Sequence, residues 1–430
     1  MAALHSANGI ELPMSIATVG DIACRVVVCS WPVFSPARRD GAASSFPLPV
    51  RQREPLRKCT IKNLSSFPSE LTAWRMYWGS APRTLIGPSG SVTESDHLPH
   101  LKAKTKKICG RTEIKKRFFY HDEDLIRSNP DFLDRMLPSL DARQDIAATA
   151  VPELAAAAAT KAVAEWGRPA SDITHLIFCT YSGTHMPGAD LRLASLLSLS
   201  PSVQRTMLYY NGCNSSSASP RTSPRTTLIM FRAPDEAHID TLVLQSLLGD
   251  GAGAVIVGSD PEACSERPLF EMVSSAQATV PGTQHAFTSK LGKCGFAYGL
   301  SGELPSLVAH NIEHCLVDAI WPLGLRCDWN DLFWVVHPGG RGILDAIEVS
   351  LMLEQSKLKA SRWVLSEYGN MSGVTIIFVL DEMRRRLQKA AAHQDGENSM
   401  DKEEESKLGA MVAVGPGLTL ETMLLRAIGN

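Results

Sequence analysis

The sequence has little excess charge of either sign. Its 430 residues carry 43 basic and 45 acidic side chains, so the formal net charge is -2 at pH 7. A chain this close to neutral has no overall electrostatic attraction for nucleic acid or for an anionic membrane surface. We therefore expect no nucleic-acid partner, and any anionic ligand must bind at a local cluster of basic residues.

The ten cysteines lack the close pairing that marks zinc sites and the density that marks secreted disulfide-rich domains. They lie at positions 24, 29, 59, 109, 179, 213, 264, 294, 315 and 327. We therefore expect no metal site, and we expect a reducing compartment, the cytoplasm. Residues 1–60 contain several arginines and serines with few acids, which leaves an organelle-targeting segment as an alternative.

Long apolar runs are also missing. No run approaches the length that spans a bilayer, and the longest apolar stretch near the start, residues 22–34, is broken by Arg25, Ser30 and Pro32. The sequence thus predicts no membrane span. The apolar fraction of 44% fits a globular protein with a substantial core.

The chain changes character near residue 95. Residues 1–94 are rich in Pro, Ser, Gly and Arg without sustained periodicity, and we expect an atypical, poorly packed segment. Beyond it, "VPELAAAAATKAVAEWG" at 151–167 predicts a helix that has Pro152 in its first turn and ends at Gly167. Further helices are expected at 304–319 and 343–353.

Short apolar runs that end in glycine or a polar turn predict buried strands. These runs are "HLIFCT" at 175–180, "TMLYYNG" at 206–212, "GAGAVIVG" at 251–258, "LFWVVHPGG" at 332–340 and "TIIFVLD" at 375–381. Alternating strands and helices indicate an α/β fold whose sheets are covered on both faces. The charged run at 389–407 is interpreted as a solvated excursion between the last two strands, with an acidic interaction segment as the alternative.

Three blocks carry residues suited to covalent chemistry: "NGCNSS" around Cys213, "VVHPGGRGILD" around His337 and "LSEYGNMSG" around Asn370. Together they supply a thiolate that attacks a thioester, an imidazole that stabilises it as an ion pair, and an amide that binds an oxyanion. Taken one at a time, each residue is better explained as a core cysteine, a satisfied histidine or a turn asparagine. Only their convergence in space would favour catalysis.

Several blocks of the sequence, in their order along the chain, resemble the sequences of the plant chalcone and stilbene synthases, the type III polyketide synthases. The blocks are "PSLDARQD" at 138–145, "THLIFCT" and "GTHMPGAD" within 174–190, "FRAPDEAHIDTL" at 231–242, "GDGAGAVIVGSDP" at 249–261, "HPGGRGILD" at 337–345, "LSEYGNMSG" at 365–373 and "VGPGLTLETMLLRA" at 414–427. Within the family, these blocks are most similar to the sequences of the curcuminoid- and diketide-forming branch of grasses. The resemblance implies a thiolase-like α/β fold of two stacked αβαβα halves in five layers, with residues 95–262 in the N-terminal half and 263–430 in the C-terminal half.

The resemblance also implies an activity. A homodimer would load a hydroxycinnamoyl-type starter from coenzyme A onto Cys213 and extend it with malonyl-coenzyme A, without a metal or redox cofactor. His337 would keep the cysteine as thiolate and, with Asn370, bind the thioester oxygen. A related thiolase-fold 3-ketoacyl synthase, which takes its extender from acyl carrier protein, is the alternative within this fold.

Binding residues follow from the same resemblance. The phosphates of coenzyme A would contact Lys104, Lys107 and Arg111, although a solvated helix face also explains these residues. The substrate pocket would be lined by Tyr181, Ser182, Met186, Met230, Leu248, Ser289, Tyr298, Ser372, Gly415 and Gly417. Among them, Met186 would cross the dimer interface into the partner's cavity; from the sequence alone it would be a core methionine.

Several pocket positions depart from the chalcone-forming pattern. Leu248 and Tyr298 stand where the family usually has gating phenylalanines, Met230 and Tyr181 where threonine is common, and Ser289 where glycine often lies. The larger groups at Met230 and Tyr181 would shrink the cavity and favour fewer extensions, because a full pocket rejects longer chains.

Two segments of the family pattern are not recognisable in the sequence. No stretch matches the N-terminal strand and helix of the family, or most of the helix behind Cys213 with a following core strand. Pro220 and Pro224 would end a helix behind the nucleophile within two turns. A catalytically impaired or interaction-only relative therefore stays open as an alternative.

Overall fold

A computed structural model of the chain describes residues 59–67, 72–74, 99–210, 212–213, 227–233, 235–259, 261, 266–394 and 408–428. The strands are β1 Cys59–Phe67, β2 Thr72–Trp74, β3 Arg117–Phe119, β4 His175–Thr180, β5 Gln204–Tyr209, β6 Ala252–Ser259, β7 Phe270–Thr279, β8 Phe287–Gly292, β9 Gly295–Leu300, β10 Phe333–Val336, β11 Leu408–Gly415 and β12 Thr419–Ala427. The helices are α1 Pro99–Thr112, α2 Glu123–Ser128, α3 Leu140–Trp166, α4 Ala189–Leu196, α5 Ile239–Leu247, α6 Leu304–Ile320, α7 Arg341–Ser350, α8 Lys359–Tyr368 and α9 Val374–Gln394. Strands and helices alternate, as an α/β fold requires.

The strands form one large sheet and three pairs. The large sheet has the order β10-β11-β12-β7-β1-β6, in which only the β10–β11 pair is parallel. The remaining pairs are β2–β3, β4–β5 and β8–β9. Strands from both halves of the chain thus meet in one sheet, through the contact of β1 with β7.

The helix α9 lies at the centre of the molecule. Its apolar side chains pack in one cluster with buried residues of β4, β6 and β1 on one side and of β10, β11 and β12 on the other. Helix α3 covers the opposite face of β4 and β6, and helices α6 and α7 cover the opposite face of β10 and β11. The order α3, strands, α9, strands, α6 with α7 gives the five layers expected from the sequence.

Helix α3 is long and apolar enough to cross a membrane by length and composition. Its alanines are the reason, and most of those that face the core, including Ala147, Ala155 and Ala158, are almost fully buried against β4 and β6. Small side chains let the helix approach the sheet closely. Within the described residues, α3 is therefore a core helix of this fold.

Three sequence predictions are wrong, besides the predicted start of α3: that helix begins at Leu140, so Pro152 lies in its interior and not in its first turn. Residues 375–381 form part of helix α9 and not a strand, because a helix buried on all sides shows the same unbroken apolar run as a buried strand. The charged run at 389–407 is therefore not an excursion between the last two strands: its first residues, up to Gln394, form the end of helix α9, and residues 395–407 lie outside the described residues.

The third concerns residues 1–94. The stretch Cys59–Phe67 is β1, which pairs antiparallel with β6 and β7, and Thr60 and Ile61 are buried. A strand of the N-terminal half is thus present in this segment. It is not poorly packed, because it lies between β6 and β7 and joins the two halves of the sheet. Residues 1–58 lie outside the described residues.

Two glycines allow a matched test of this packing. Gly295 begins β9 with a φ of 93°, and a Cβ there would overlap the carbonyl oxygen of Ile229. Gly282 also has positive φ, at 78°, but a Cβ there would meet nothing. We expect Gly282→Ala to lower the free energy of unfolding by about 1 kcal/mol, from backbone strain alone.

Gly295→Ala adds a steric clash to the same strain, so we expect a loss of about 3 kcal/mol or more. Chemical denaturation of the two variants beside the parent protein measures both values. Equal losses in the two variants would contradict the close approach of β9 to Ile229.

Candidate active site

Cys213 follows β5 through a tight reversal of the chain. Tyr210 has φ 58° and Gly212 has φ 79°, so the backbone turns sharply just after the strand ends. Glycine adopts this conformation at low cost, which explains the Gly-Cys order in "NGCNSS". The turn leaves the Cys213 side chain 7% exposed. The residues directly behind it, 214–226 with Pro220 and Pro224, lie outside the described residues.

His337 and Asn370 are each fixed by their backbones. The N–H of His337 donates to the carbonyl of Val412 (2.8 Å), which extends the β10–β11 pairing by one residue. Asn370 follows α8 after Gly369, and its N–H donates to the carbonyl of Leu247 (2.9 Å). Both side chains are buried, with 1% of His337 and 5% of Asn370 exposed.

A chain of hydrogen bonds joins these blocks. The Ser372 hydroxyl donates to the Cys213 sulfur, with Oγ and Sγ 3.3 Å apart. The Ser372 N–H donates to Oδ1 of Asn370 (2.7 Å), and Nδ2 of Asn370 donates to the carbonyl of Gly339 (3.0 Å). The His337 ring is a close neighbour of Gly339. Residues far apart in the sequence thus meet around one thiol.

The turn that carries Ser372 is itself held rigid. Ser372 has φ 60°, and Thr375 in the first turn of α9 fixes the loop before it. Its hydroxyl accepts the N–H of Met371 (2.7 Å) and donates to the carbonyl of Ser372 (2.8 Å). The start of the central helix therefore sets the position of the donor beside the sulfur.

This arrangement can support nucleophilic chemistry on a carbonyl group. A hydroxyl that donates to sulfur stabilises the thiolate over the thiol. The Asn370 amide group carries two hydrogens and uses one of them on Gly339, so the second can be donated to a developing oxyanion.

A buried apolar cluster of mixed aromatic and aliphatic residues adjoins these groups and contains several of the residues expected to line the substrate pocket. Its buried core consists of Tyr181, Ile229, Met230, Leu244, Leu248 and Phe296, with Tyr298 and Phe287 packed against it. The Tyr181 and Phe296 rings meet edge-on at 6.3 Å, and the Phe287 and Tyr298 rings stack at 6.2 Å. Leu248 also forms a β-bridge to Asn370, which links the pocket to the polar network.

The other expected pocket residues lie in several places. Ser182 is fully buried just after β4, and Gly417 donates its N–H to the carbonyl of Phe287 (3.1 Å), beside the pocket. Gly415 ends β11. Ser289 is exposed on β8 opposite Tyr298 and is not part of the apolar cluster. Met186 is 96% exposed, so the interpretation as a core methionine is wrong.

The three basic residues expected to meet coenzyme A lie on one face of α1. Lys104, Lys107 and Arg111 are spaced by three and four positions, which places them together on a helix. Lys107 and Arg111 are exposed and Lys104 is half-buried. The opposite side of α1 packs on α5 and buries Thr105 and Cys109.

Three buried arginines around the pocket were missed by the sequence analysis. Arg117 donates to the carbonyls of Leu248 (2.7 Å) and Gln245. Arg232 donates to the carbonyls of Cys294 (2.6 Å) and Phe296.

The third, Arg143 of α3, donates to the carbonyl of Phe132 (2.8 Å), to Ser139 and to the carbonyl of Leu228. Each arginine therefore fixes a backbone segment that carries a pocket residue. Burial lowers the pKa of Arg117 to about 10 and that of Arg143 to about 9, so both stay charged at neutral pH.

The described residues contain no group of three or more His, Cys, Asp or Glu side chains that could hold a metal ion.

Comparison with known proteins agrees with this geometry. The N-terminal domain model of the chalcone and stilbene synthases matches residues 90–224 and 220–261, and the C-terminal domain model matches residues 271–429. The N-terminal match is thus divided in the segment behind Cys213. Bisdemethoxycurcumin synthase of Oryza sativa subsp. japonica is 49% identical over 359 residues, which cover 79% of this chain and 87% of that protein.

The resemblance noted in the sequence is confirmed, and with it the thiolase-like α/β fold. The chain belongs to the chalcone and stilbene synthase family of plant type III polyketide synthases, acyltransferases that condense an acyl-coenzyme A with malonyl-coenzyme A.

Proposed function

We propose that Cys213 is the nucleophile that carries the growing acyl chain, and that the starter is a hydroxycinnamoyl-type coenzyme A thioester. The hydrogen bond from Ser372 to the Cys213 sulfur is the single observation that carries this assignment. Among the described cysteines, Cys213 meets the Asn370 network through this bond. Cys109, Cys294 and Cys315 are buried elsewhere.

Loading begins when the Cys213 thiolate attacks the carbonyl carbon of the starter thioester. The new C–S bond forms as the C–S bond to coenzyme A breaks, and coenzyme A leaves as a thiolate. Ser372 stabilises the attacking sulfur before the reaction, and Asn370 and His337 donate to the oxygen of the tetrahedral intermediate. His337 also acts as the cationic partner that keeps Cys213 ionised.

Extension uses the same donors on a different oxygen. Malonyl-coenzyme A loses carbon dioxide, and the electron pair of the broken C–C bond becomes the enolate of acetyl-coenzyme A. The enolate carbon attacks the Cys213 thioester, a C–C bond forms, and the cysteine leaves as thiolate. Donors from Asn370 and His337 lower the energy of the enolate oxygen, so the residues present supply the stabilisation that decarboxylation needs.

The aromatic pocket supports an aromatic starter. The edge-on contact of Tyr181 with Phe296 and the stacked pair Phe287–Tyr298 offer ring faces and edges to a flat phenylpropanoid group. A buried Met230 and a buried Tyr181 limit the free volume, so we expect few extensions.

The basic face of α1 and the exposed Met186 complete the proposal. Lys104, Lys107 and Arg111 present positive charge on an otherwise near-neutral chain and would bind the phosphates of coenzyme A. A large apolar side chain that is 96% exposed in the single chain suits an interface, so we propose that Met186 packs against a second copy in a homodimer. Free thiols at Cys109, Cys294 and Cys315 suit a reducing cytoplasm.

Product analysis tests the proposed nucleophile. Purified protein is incubated with p-coumaroyl-coenzyme A and malonyl-coenzyme A, and the products are separated by liquid chromatography and identified by mass spectrometry. We expect polyketide products that fall by at least about a thousandfold in Cys213→Ala, because the covalent intermediate cannot form. Cys315→Ala, which removes a buried thiol in α6, is the matched control and keeps its products.

Products that persist in Cys213→Ala would assign the nucleophile elsewhere. A folded, dimeric parent protein that gives no product would mean that the short segment behind Cys213 has abolished activity. Extension from malonyl-acyl carrier protein alone would indicate the 3-ketoacyl synthase alternative.

A second test concerns the volume of the pocket. Met230→Thr replaces a buried side chain of the pocket with a smaller one and leaves space beside Leu248. We expect the product distribution to shift toward chains with more malonyl-derived units, measured by the same mass spectrometry. Met136→Thr, at an exposed position before α3, is the matched control. An unchanged distribution in Met230→Thr would contradict the assignment of Met230 to the substrate cavity.

A further inference from the structure

Tyr210 stands just after β5, in the turn that leads to Cys213, and its backbone has a conformation that bulky residues rarely adopt. Its φ of 58° lies in the left-handed region. Its N–H donates to the carbonyl of Thr180 (3.1 Å), so the end of β4 holds this backbone in place. Residues kept in such a conformation must be fixed by their surroundings, and they cluster at functional sites.

The ring of Tyr210 covers a buried ring of the apolar cluster. It meets the Phe296 ring edge-on, with the two centroids 5.4 Å apart. Phe296 is 3% exposed, whereas Tyr210 is 39% exposed. Tyr210 therefore lies on the outer side of Phe296, between this ring and the surface of the chain.

Phe296 connects Tyr210 to residues that are expected to line the substrate pocket. Its ring meets the Tyr181 ring edge-on at 6.3 Å and the Tyr298 ring at 5.6 Å. Its backbone is fixed, because its carbonyl accepts a hydrogen bond from Arg232. Its side chain has no polar atom, so the orientation of the ring depends on the aromatic rings around it.

The hydroxyl of Tyr210 holds its ring in this place. It forms a hydrogen bond with the hydroxyl of Thr184, in the loop between β4 and α4. That loop is anchored to α3, since Oε1 of Gln144 accepts the N–H groups of Gly183 (2.7 Å) and Thr184 (3.1 Å). A phenylalanine would give the same ring contact with Phe296, so the anchor is what the hydroxyl adds.

The neighbouring Tyr209 shares only part of this arrangement. Its hydroxyl donates to the carbonyl of His185 (3.3 Å), in the same loop, and its ring meets the Tyr210 ring at 6.1 Å. The edge-on contact with Phe296 belongs to Tyr210. The two tyrosines thus have similar anchors, and Tyr210 adds the contact with the aromatic cluster.

We propose that Tyr210 is a positioning residue that makes the site select an aromatic starter. It holds the Phe296 ring in one orientation, and the hydrogen bond to Thr184 holds Tyr210. An aromatic group gains from a ring at a fixed edge-on or stacked angle, whereas a flexible aliphatic chain does not depend on that angle. This inference rests on the proposed function, in which the starter lies against the aromatic cluster.

A competition between two starters tests the proposal. The protein is mixed with equal concentrations of p-coumaroyl-coenzyme A and hexanoyl-coenzyme A, without malonyl-coenzyme A, and the reaction is stopped with acid. Mass spectrometry of the intact protein gives the ratio of aromatic to aliphatic acyl groups bound to it. We expect the parent protein to carry mainly the aromatic group. In Tyr210→Leu we expect the ratio to fall by at least about fivefold, because the edge-on contact with Phe296 is lost.

Further variants test the anchor. Tyr210→Phe keeps the ring and loses the hydrogen bond, so we expect a smaller fall of the ratio, about twofold. Thr184→Val removes the other partner of this bond and should have the same effect. In the double variant the ratio should fall no further, because both changes remove one interaction. Tyr209→Phe, the matched control that loses a hydroxyl bonded to the same loop, should leave the ratio unchanged.

The outcomes separate this inference from the proposed function. A parent protein that binds neither acyl group, or that does not prefer the aromatic one, would overturn both. An aromatic preference in the parent protein that is unchanged in Tyr210→Leu would overturn the inference alone, even if the total amount of bound acyl group falls, because a purely structural role lowers the amount and not the ratio. Equal falls of the ratio in Tyr210→Leu and Tyr209→Phe would assign the effect to the loop in general and would also overturn the inference.

Discussion

The burial of α9 between the two halves of the sheet is the constraint on which the site depends. Every residue from 371 to 381 is buried, so this helix can neither shift nor tilt without opening both halves of the core. Its first turn carries Thr375, which fixes the loop that presents Ser372 and Asn370. The position of the donor beside the Cys213 sulfur is therefore set by packing at the centre of the protein, and not by the loop alone.

The pocket is held in a different way, by charge. Arg117, Arg143 and Arg232 are buried, and their hydrogen bonds to other described residues go to backbone carbonyls near the pocket and, for Arg143, also to Ser139. Hydrogen bonds from a charged group are stronger than those from a neutral one, at about 1.5–3 kcal/mol each. The segments with Leu248, Leu228 and Phe296 are thereby fixed, while the pocket side chains stay free to differ in size.

Much of the site could be predicted from the sequence, because its residues follow apolar runs that are clear in one dimension. The run "HLIFCT" matches β4 at both ends, and Cys213, His337 and Asn370 each follow an element that delivers them to one place. The failures have physical causes. Residues 375–381 are buried on every side, which erases the helical period that separates a helix from a strand.

The remaining features have no sequence signature of their own. A buried arginine that binds carbonyls looks like any surface arginine, because its acceptors are backbone atoms common to all residues. The strand β1 was missed because "CTIKNLSSF" mixes polar and apolar residues, and its burial follows from its place between β6 and β7. The sequence of β9 did contain one signal for the pocket. Phe296 and Tyr298 are two positions apart, so their side chains lie on the same face of the strand.

The central claim is that the start of α9 activates Cys213, and site-resolved alkylation tests it most directly. The protein is treated with iodoacetamide at neutral pH, and the modification rate of each cysteine is followed by peptide mass spectrometry. The account predicts that Cys213 reacts faster than Cys315 despite its burial. It also predicts that Ser372→Ala lowers the Cys213 rate by roughly tenfold, through the loss of one hydrogen bond to a charged group. Ser306→Ala, on the exposed side of α6, should change neither rate. A Cys213 that reacts no faster than Cys315, or that does not respond to Ser372→Ala, would contradict the account.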